Sequence, residues 1–397
     1  MRILLLSWEY PPHLDGGLGQ HVKELVPALL AADPELEIHV VTPAFAGRTQ
    51  HESLGRLHVH RVKVMAPSDD QIYEDVLVAN PAFVRAAERL LAAHGPFDLI
   101  HVHDWLPSFA GLALAEARGL PIVATIHATE RGRYRGALHN DMSRAIDATE
   151  GRLAQAAQRV IACSLAMKHE IQSYYGVPAE RIRVIPNGID GSHLRCLRHE
   201  DLSDFRRQYA RPDERIIFNV GRMVYEKGAD LLVEAAPQVL SRVPDVKFVI
   251  GGRGPLFASL GQRIEAMHLH NKVMLTGFLS DEDRDRLYVV ADLCVFPSRY
   301  EPFGIVALEA MAAGTPVVVS NVGGLGTVVQ HEATGLTAFA EDVNSLAWTI
   351  TRALSDPAAA AERAEQAIAY LENCLAWPVI AHATLDVYAE LGAQESR

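Results

Sequence analysis

The chain is poor in cysteine, in positive charge and in long apolar runs, and each shortage closes off a class of protein. Its four cysteines, Cys163, Cys196, Cys294 and Cys374, are isolated, with no C-x-x-C pair and no histidines at ligand spacing beside them. That offers neither a structural zinc site nor a redox pair and reads as free thiols in a reducing cytoplasm. The formal charge of −12 disfavours sequence-independent binding to nucleic acid or anionic lipid, so a cluster of cations in a cleft stands out. No stretch reaches the roughly 18 apolar residues of a spanning helix, and "MRILLLSWEY" is too short an apolar run for a secretory signal. The expectation is a cytoplasmic protein without an integral membrane segment, with peripheral association left open. Low-complexity tracts and short repeats are absent too.

What is present is a globular composition, 49% apolar and 22% charged over 397 residues, enough for two domains of roughly 100–200 residues each. Near-continuous apolar runs, "RILLLS", "EIHVVTP", "LHVHRVKVM", "FDLIHVH", "LPIVATIH", "RVIACS" and "IRVIP", read as strands. Helical patterns at 19–31, 82–94, 108–118 and 141–157 lie between them. Strands of this kind joined by helices imply a parallel sheet covered on both faces. A turn at Pro186, Asn187 and Gly188 ends the first unit, and the alternation restarts with "RIIFNVG", "VKFVIGG", "KVMLTGF", "LCVFPS" and "TPVVVSN". The fold class is therefore α/β, with two Rossmann-like doubly wound domains, 1–190 and 191–377, facing across a cleft. An amphipathic helix of about 378–397 follows, packing on either domain.

Open α/β sheets bind ligands at the carboxyl ends of their strands, so residues just after strands are the candidates. Gly16, Gly17 and Gly19 precede a helix expected to begin near Gly19, where amides could hold an anion, although a tight turn explains the glycines equally. Arg222 and Lys227 fall between a strand and a helix starting near Gly228, and two cations beside a helix N-terminus suit a diphosphate. Solvated surface charge is the alternative. In "EPFGIVALEAMAAGTP" Pro302 suits the first turn of a helix, with Glu301 near its N-cap and Glu309 about two turns in. Roughly 12 Å along a regular axis is wrong for a carboxylate pair acting on one glycosidic bond, but suits hydroxyls on two sugars of one ligand. A capping Glu301 and a buried, paired Glu309 would look the same in sequence. His127 ends a strand at the expected cleft. His101 and His103 share one sheet face, but Asp104 points away and no third metal ligand is near in sequence. His58, His60, His268 and His270 suggest no constellation.

Taken together, "WEYPPHLDGGLGQHV", "IHVHDW", "TIHATERGR", "IPNGID", "VGRMVYEKGAD", "GGRGP", "LTGF", "PSRYEPFGIVALEAMAAGTPVV" and "GGLGTVV" resemble the retaining family-four glycosyltransferases of GT-B architecture, over practically the whole chain. "WEYPP" and "HATERGR" look most like the glycogen and starch synthase branch. The resemblance implies transfer of a hexose, most often glucose, from a nucleoside diphosphate sugar such as ADP- or UDP-glucose to an α-glucan. It implies no cofactor and no metal. Arg222 and Lys227 would clamp the diphosphate, Glu309 the ribose and Glu301 the transferred sugar, with the amides of Phe303 and Gly304 near that sugar. His127 would touch its 6-hydroxyl, Gly16 and Gly17 would pass close to diphosphate or acceptor, and Arg131 and Arg133 would line the acceptor side. Rival readings are a mannosyltransferase with a lipid or small-molecule acceptor, a nucleotide-sugar epimerase, and an inactive sugar-nucleotide sensor.

Overall fold

Alternation of short apolar strands with amphipathic helices produces two parallel sheets, one in each unit of the chain. The computed structural model describes residues 1–14, 16–45 and 50–392. One unit contains Met1–Gly188 and the chain from Trp377 onward, and the other is Ile189–Ala376.

The first sheet contains β1 (Arg2–Leu6), β2 (Glu37–Ala44), β3 (Gln50–Leu54), β4 (Leu57–Lys63), β5 (Leu99–His103), β6 (Ile122–Ile126), β7 (Arg159–Ala162) and β8 (Ile182–Val184). Their order is β3-β4-β2-β1-β5-β6-β7-β8, parallel throughout except that β3 runs antiparallel to β4. β1, β5 and β6 are buried on both faces, which is why they read as unbroken apolar runs. Ile3, Leu5, Val40, Leu99 and Val123 pack on Val22, Leu25 and Leu29 of the helix Gly17–Ala32. The helix Trp377–Gly392 packs against that helix and adds Ile380, Val387, Tyr388 and Leu391 to the same core. Its place is fixed by polar contacts as well. His101 Nδ1 lies 2.7 Å from the Tyr388 hydroxyl, and Glu390 accepts from Arg159 at 2.6 Å and from Arg183 at 2.9 Å.

The second sheet contains β9 (Arg215–Val220), β10 (Val246–Gly251), β11 (Val273–Gly277), β12 (Leu293–Phe296), β13 (Val317–Ser320) and β14 (Leu336–Ala338), in the order β11-β10-β9-β12-β13-β14 and parallel throughout. Ile217, Phe248, Val295 and Val318 meet Leu232, Val239 and Ile350 in its core. From β9 the chain winds outward through β10 and β11 and then returns to β12 on the other side. The connections leaving β9 and β12 therefore diverge and leave a crevice above the carboxyl ends of those two strands. The first sheet has the same switch between β1 and β5.

Two boundaries differ from the sequence reading near the candidate residues. The helix after β12 is Ile305–Ala312, with Gly304 as its N-cap at φ +104°, so Pro302 and Glu301 precede it as an irregular segment. Glu309 is the fifth helical residue, little more than one turn in, and axial helix spacing does not apply between the two glutamates. The first helix begins at Gly17, two residues before the expected Gly19.

Candidate functional site

In the second unit, the crevice above β9 and β12 is built by two loops that brace each other. After β9 the chain makes a short turn at Tyr225–Lys227, and Gly228 starts the helix Ala229–Arg242. After β12 the backbone amides of Arg299 and Tyr300 donate to the Glu226 carbonyl at 2.7 and 3.3 Å. The Arg299 guanidinium grips Asp230 bidentately at 2.8 and 2.7 Å, donates to the Tyr225 carbonyl and lies 4.1 Å from the centre of the Tyr225 ring. Buried paired arginine of this kind holds the turn carrying Lys227 in place.

That bracing brings Lys227 to Glu301. Lys227 Nζ donates to Glu301 Oε2 at 2.6 Å, and Ser298 Oγ lies 3.3 Å from the same oxygen. Glu301 is buried, whereas Lys227 keeps 29% of its side chain exposed. An ammonium has three donors, so Lys227 retains two for another anion. Arg222, by contrast, is exposed, and its guanidinium has no hydrogen bond or ion pair among the described residues; only its carbonyl is engaged, accepting from the Val224 amide at 2.9 Å. Next to Glu301, the amides of Phe303 and Gly304 likewise have no acceptor among the described residues. Glu309 stands apart from Glu301 in role. It accepts from the Tyr288 hydroxyl at 2.8 Å, and burial raises its carboxyl pKa against the lowering influence of Arg284.

The first unit gathers its candidates above β1, β5 and β6. His127 Nε2 lies 3.2 Å from His103 Nδ1, its backbone amide donates to Asp104 Oδ1 at 2.7 Å, and its Nδ1 has no partner among the described residues. Burial lowers the His127 pKa to about 4, so the imidazole is neutral near pH 7. Asp104, at φ +58°, has its carboxyl pushed up to about 7 by burial. His21, from the helix after β1, packs edge-on against His127 with ring centres 4.8 Å apart. The ligand atoms of His21, His103 and His127 lie within 4.8 Å of one another, so the third imidazole that the local sequence of His101 and His103 lacked is supplied from a distant helix. His101 is instead a satisfied core residue between Tyr388 and Thr125.

Two of the expected roles meet partners within the chain. The amides of Gly16 and Gly19 both donate to Glu9 Oε2 at 3.1 Å, so a carboxylate of the chain itself occupies that helix start. A Cβ on Gly19 would come within 2.5 Å of the same oxygen, which accounts for one glycine without any ligand. Gly16 and Gly17 are exposed. Arg131 is committed to Asp147 through two hydrogen bonds of 2.7 and 2.8 Å and lies 5.7 Å from the Tyr174 ring, so it is no free acceptor-side cation. Arg133 acts electrostatically on Asp104 and Glu150.

Comparison with known proteins agrees with this layout. The description "Glycosyl transferases group 1" fits residues 202–370, and "Glycosyltransferase Family 4" fits 15–193. A glycogen synthase of Mycobacterium tuberculosis is 36% identical over 403 residues, covering 98% of this chain and 94% of that one. An uncharacterized glycosyltransferase of Methanocaldococcus jannaschii is 36% identical with 98% of each chain covered. The sucrose-phosphate synthase structure from Thermosynechococcus elongatus superimposes with a TM-score of 0.81 at 27% identity, over 99% of each chain. The chain belongs to the family-four glycosyltransferases of GT-B fold.

For this glycosyltransferase, sequence reasoning passed over the partner residues Glu9, Asp147, Asp230, Tyr288 and Arg299. Arg299 with Asp230, Glu9 with the Gly16–Gly19 amides, Arg131 with Asp147 and Tyr288 with Glu309 are each pairs made by folding. Only Glu9, in "WEYPP" beside the glycines, carried a local signal.

Proposed function

We propose that this glycosyltransferase moves glucose, with retention, from ADP- or UDP-glucose to the end of an α-glucan in the cytoplasm. The observation that carries the proposal is the crevice above β9 and β12, where the two remaining donors of Lys227 and the open amides of Phe303 and Gly304 lie beside buried Glu301, and exposed Arg222 follows β9 on the same loop as Lys227. Such a set holds a diphosphate and the sugar attached to it, and stabilises the negative charge that develops as the nucleotide leaves. Glu301 accepts hydroxyls of the transferred sugar, Glu309 accepts from the ribose, and the neutral His127 imidazole is assigned the sugar's 6-hydroxyl. The departing diphosphate takes the acceptor's proton on the same face, so no carboxylate becomes a covalent nucleophile. No metal is required, because the cations already present supply the charge.

The glycogen synthase relative supports a glucan acceptor, and the motifs of the starch synthase branch support glucose. The test incubates the enzyme with ADP-, UDP- and GDP-glucose and with GDP-mannose, with and without glycogen primer, and measures released nucleotide and sugar incorporated into polymer. Incorporation from a glucose donor supports the proposal. Transfer only from GDP-mannose to a small acceptor, a converted sugar without acceptor, or binding without turnover would point in turn to the mannosyltransferase, the epimerase or the sensor.

A further inference from the structure

Five of the eighteen histidines gather with one glutamate at the opposite end of the first sheet from the loops described above. Glu37 and His39 lie at the amino end of β2, His58 and His60 at that of β4, His51 on β3, and His94 ends the helix Ile72–His94. The pairing register sets His39 beside His58 and His60 beside His51, so alternation places all four strand imidazoles on one face. His39 and His58 stack with ring centres 4.5 Å apart, and His94 stands edge-on to His39 at 4.7 Å. His58 and His60, which suggest nothing in sequence, thus belong to a constellation that only strand pairing creates.

We propose that Glu37, His39 and His94, with His58 as fourth ligand, form a site for a divalent transition-metal ion of the zinc type. The ligand atoms of Glu37, His39 and His94 lie within 4.8 Å of one another. Glu37 Oε1 is 2.9 Å from His39 Nε2 and 3.5 Å from His58 Nε2. A tetrahedral ion with bonds of 2.0–2.1 Å separates neighbouring ligand atoms by about 3.3 Å, so little movement is needed. Neutral imidazoles with one carboxylate are a donor set such ions favour.

The hydrogen bonds behind these atoms fit the same purpose. Arg2 donates to Glu37 Oε2 at 2.9 and 3.1 Å and also to the His94 carbonyl, which fixes the carboxylate, leaves Oε1 facing the imidazoles and ties the helix end to β2. Behind His39 a chain runs from its Nδ1 to His60 Nε2 at 3.2 Å, from His60 Nδ1 to His51 Nδ1 at 2.9 Å, and from His51 Nε2 to Ser53 Oγ at 2.9 Å. Ser53 Oγ also meets His58 Nδ1 at 2.9 Å. If each neutral ring donates along this chain towards Ser53, every bond has one proton, and both Nε2 lone pairs of His39 and His58 are left facing Glu37 Oε1. Donation in the opposite direction serves equally without an ion, with His39 Nε2–H donating to Glu37 Oε1 at 2.9 Å, and a bound cation selects the first arrangement. Metal-binding histidines characteristically donate their other ring nitrogen in this way. The His21, His103 and His127 group offers similar spacing, but it includes an imidazole already assigned to the sugar.

The test uses the full-length protein, stripped with EDTA, desalted and titrated with ZnCl2 against a chromophoric chelator. Wild type is expected to bind one zinc ion per chain, and the half-exposed pair His58→Gln with His94→Gln to bind it about 10–100-fold more weakly while keeping wild-type sugar transfer. Zinc affinity unchanged in that double variant, lost instead in His103→Gln, or no stoichiometric binding by wild type would each overturn the proposal. Because the readout is metal affinity, failure here leaves the proposed reaction untouched.

Discussion

At the residue scale, the Lys227–Glu301 pair decides how the crevice responds to mutation. Removing Lys227 leaves a buried carboxylate without its cation, which costs about 1–3 kcal/mol of stability beyond any loss of ligand. Lys227→Ala is therefore expected to lower the melting temperature, and Lys227→Ala with Glu301→Gln to recover part of that loss while remaining inactive. Additive effects on stability would show that the pair does not couple in the folded protein. Glu309 makes a different prediction. Glutamine at that position still accepts from Tyr288, so the fold survives, whereas the charged contact to the ribose proposed above would be weakened. The donor KM should rise roughly 5- to 30-fold with kcat little changed. A fall in kcat at constant KM would move Glu309 from ribose binding to the chemical step. Arg222, Lys227, Glu301 and His127 could be named as candidates from sequence because each follows a strand and carries ligand chemistry, and folding sets Lys227 beside Glu301. Arg131 followed the same rule, but its pairing with Asp147 sixteen residues away is revealed only by folding.

At the scale of elements, the loop after β13 explains why "GGLGTVV" is glycine-rich. Gly324 donates its amide to the Glu301 carbonyl at 2.8 Å. Gly323 sits at φ +49°, and a Cβ there would stand 2.1 Å from the Glu301 carbonyl oxygen. Gly323→Ala must therefore push back the segment Glu301–Gly304 that carries the glutamate and the two open amides. Transfer should fall about 100-fold or more while nucleoside diphosphate binding, measured by calorimetry, weakens less. Full activity in that variant would detach this loop from the site. Strand runs were legible because burial on both sheet faces leaves unbroken apolar sequence. β3 was not, since all five of its residues are exposed and it pairs antiparallel at the sheet edge. The helix Leu165–Tyr175 escaped as well, because only Met167, Ile171 and Tyr175 are buried and no broad apolar stripe marks it. The start of the helix at Ile305 rather than Pro302 follows from Gly304, whose left-handed conformation no local rule for Pro302 anticipated.

At the scale of the molecule, both doubly wound units could be read from the alternation of strands and helices, whereas the gathering of histidines from distant segments could not. That gathering gives the fold a pH limit. Burial holds His39 and His127 near pKa 4 and His60 and His101 near 3, with His21 and His103 well below the ordinary value. As pH falls below about 6.5 the unfolded chain takes up these protons and the fold does not, so each such group removes roughly 1.4 kcal/mol of stability per pH unit. Buried Asp104 and Glu150, raised to about 7 and about 8, act in the opposite direction, because they cost stability as pH rises through the range where only the unfolded chain ionises. The histidines are more numerous, so the melting temperature should drop steadily between pH 6.5 and 4.5. A melting temperature that holds or climbs down to pH 5 would mean that these imidazoles are solvated. The helix Trp377–Gly392 belongs to the same picture, since it covers His101 through Tyr388. Among the described residues no helix is long and apolar enough to cross a membrane.

The central claim is metal-free transfer of glucose by the cationic crevice, and one measurement addresses it most directly: incorporation of labelled glucose from ADP- and UDP-glucose into glycogen, in excess EDTA, by wild type and by Arg222→Ala. The account predicts steady incorporation by wild type and a loss of roughly 30- to 1,000-fold in the variant, the equivalent of about 2–4 kcal/mol of transition-state stabilisation. Wild-type turnover that vanishes with EDTA and returns with Mg²⁺, or equal rates in the two proteins, would contradict it.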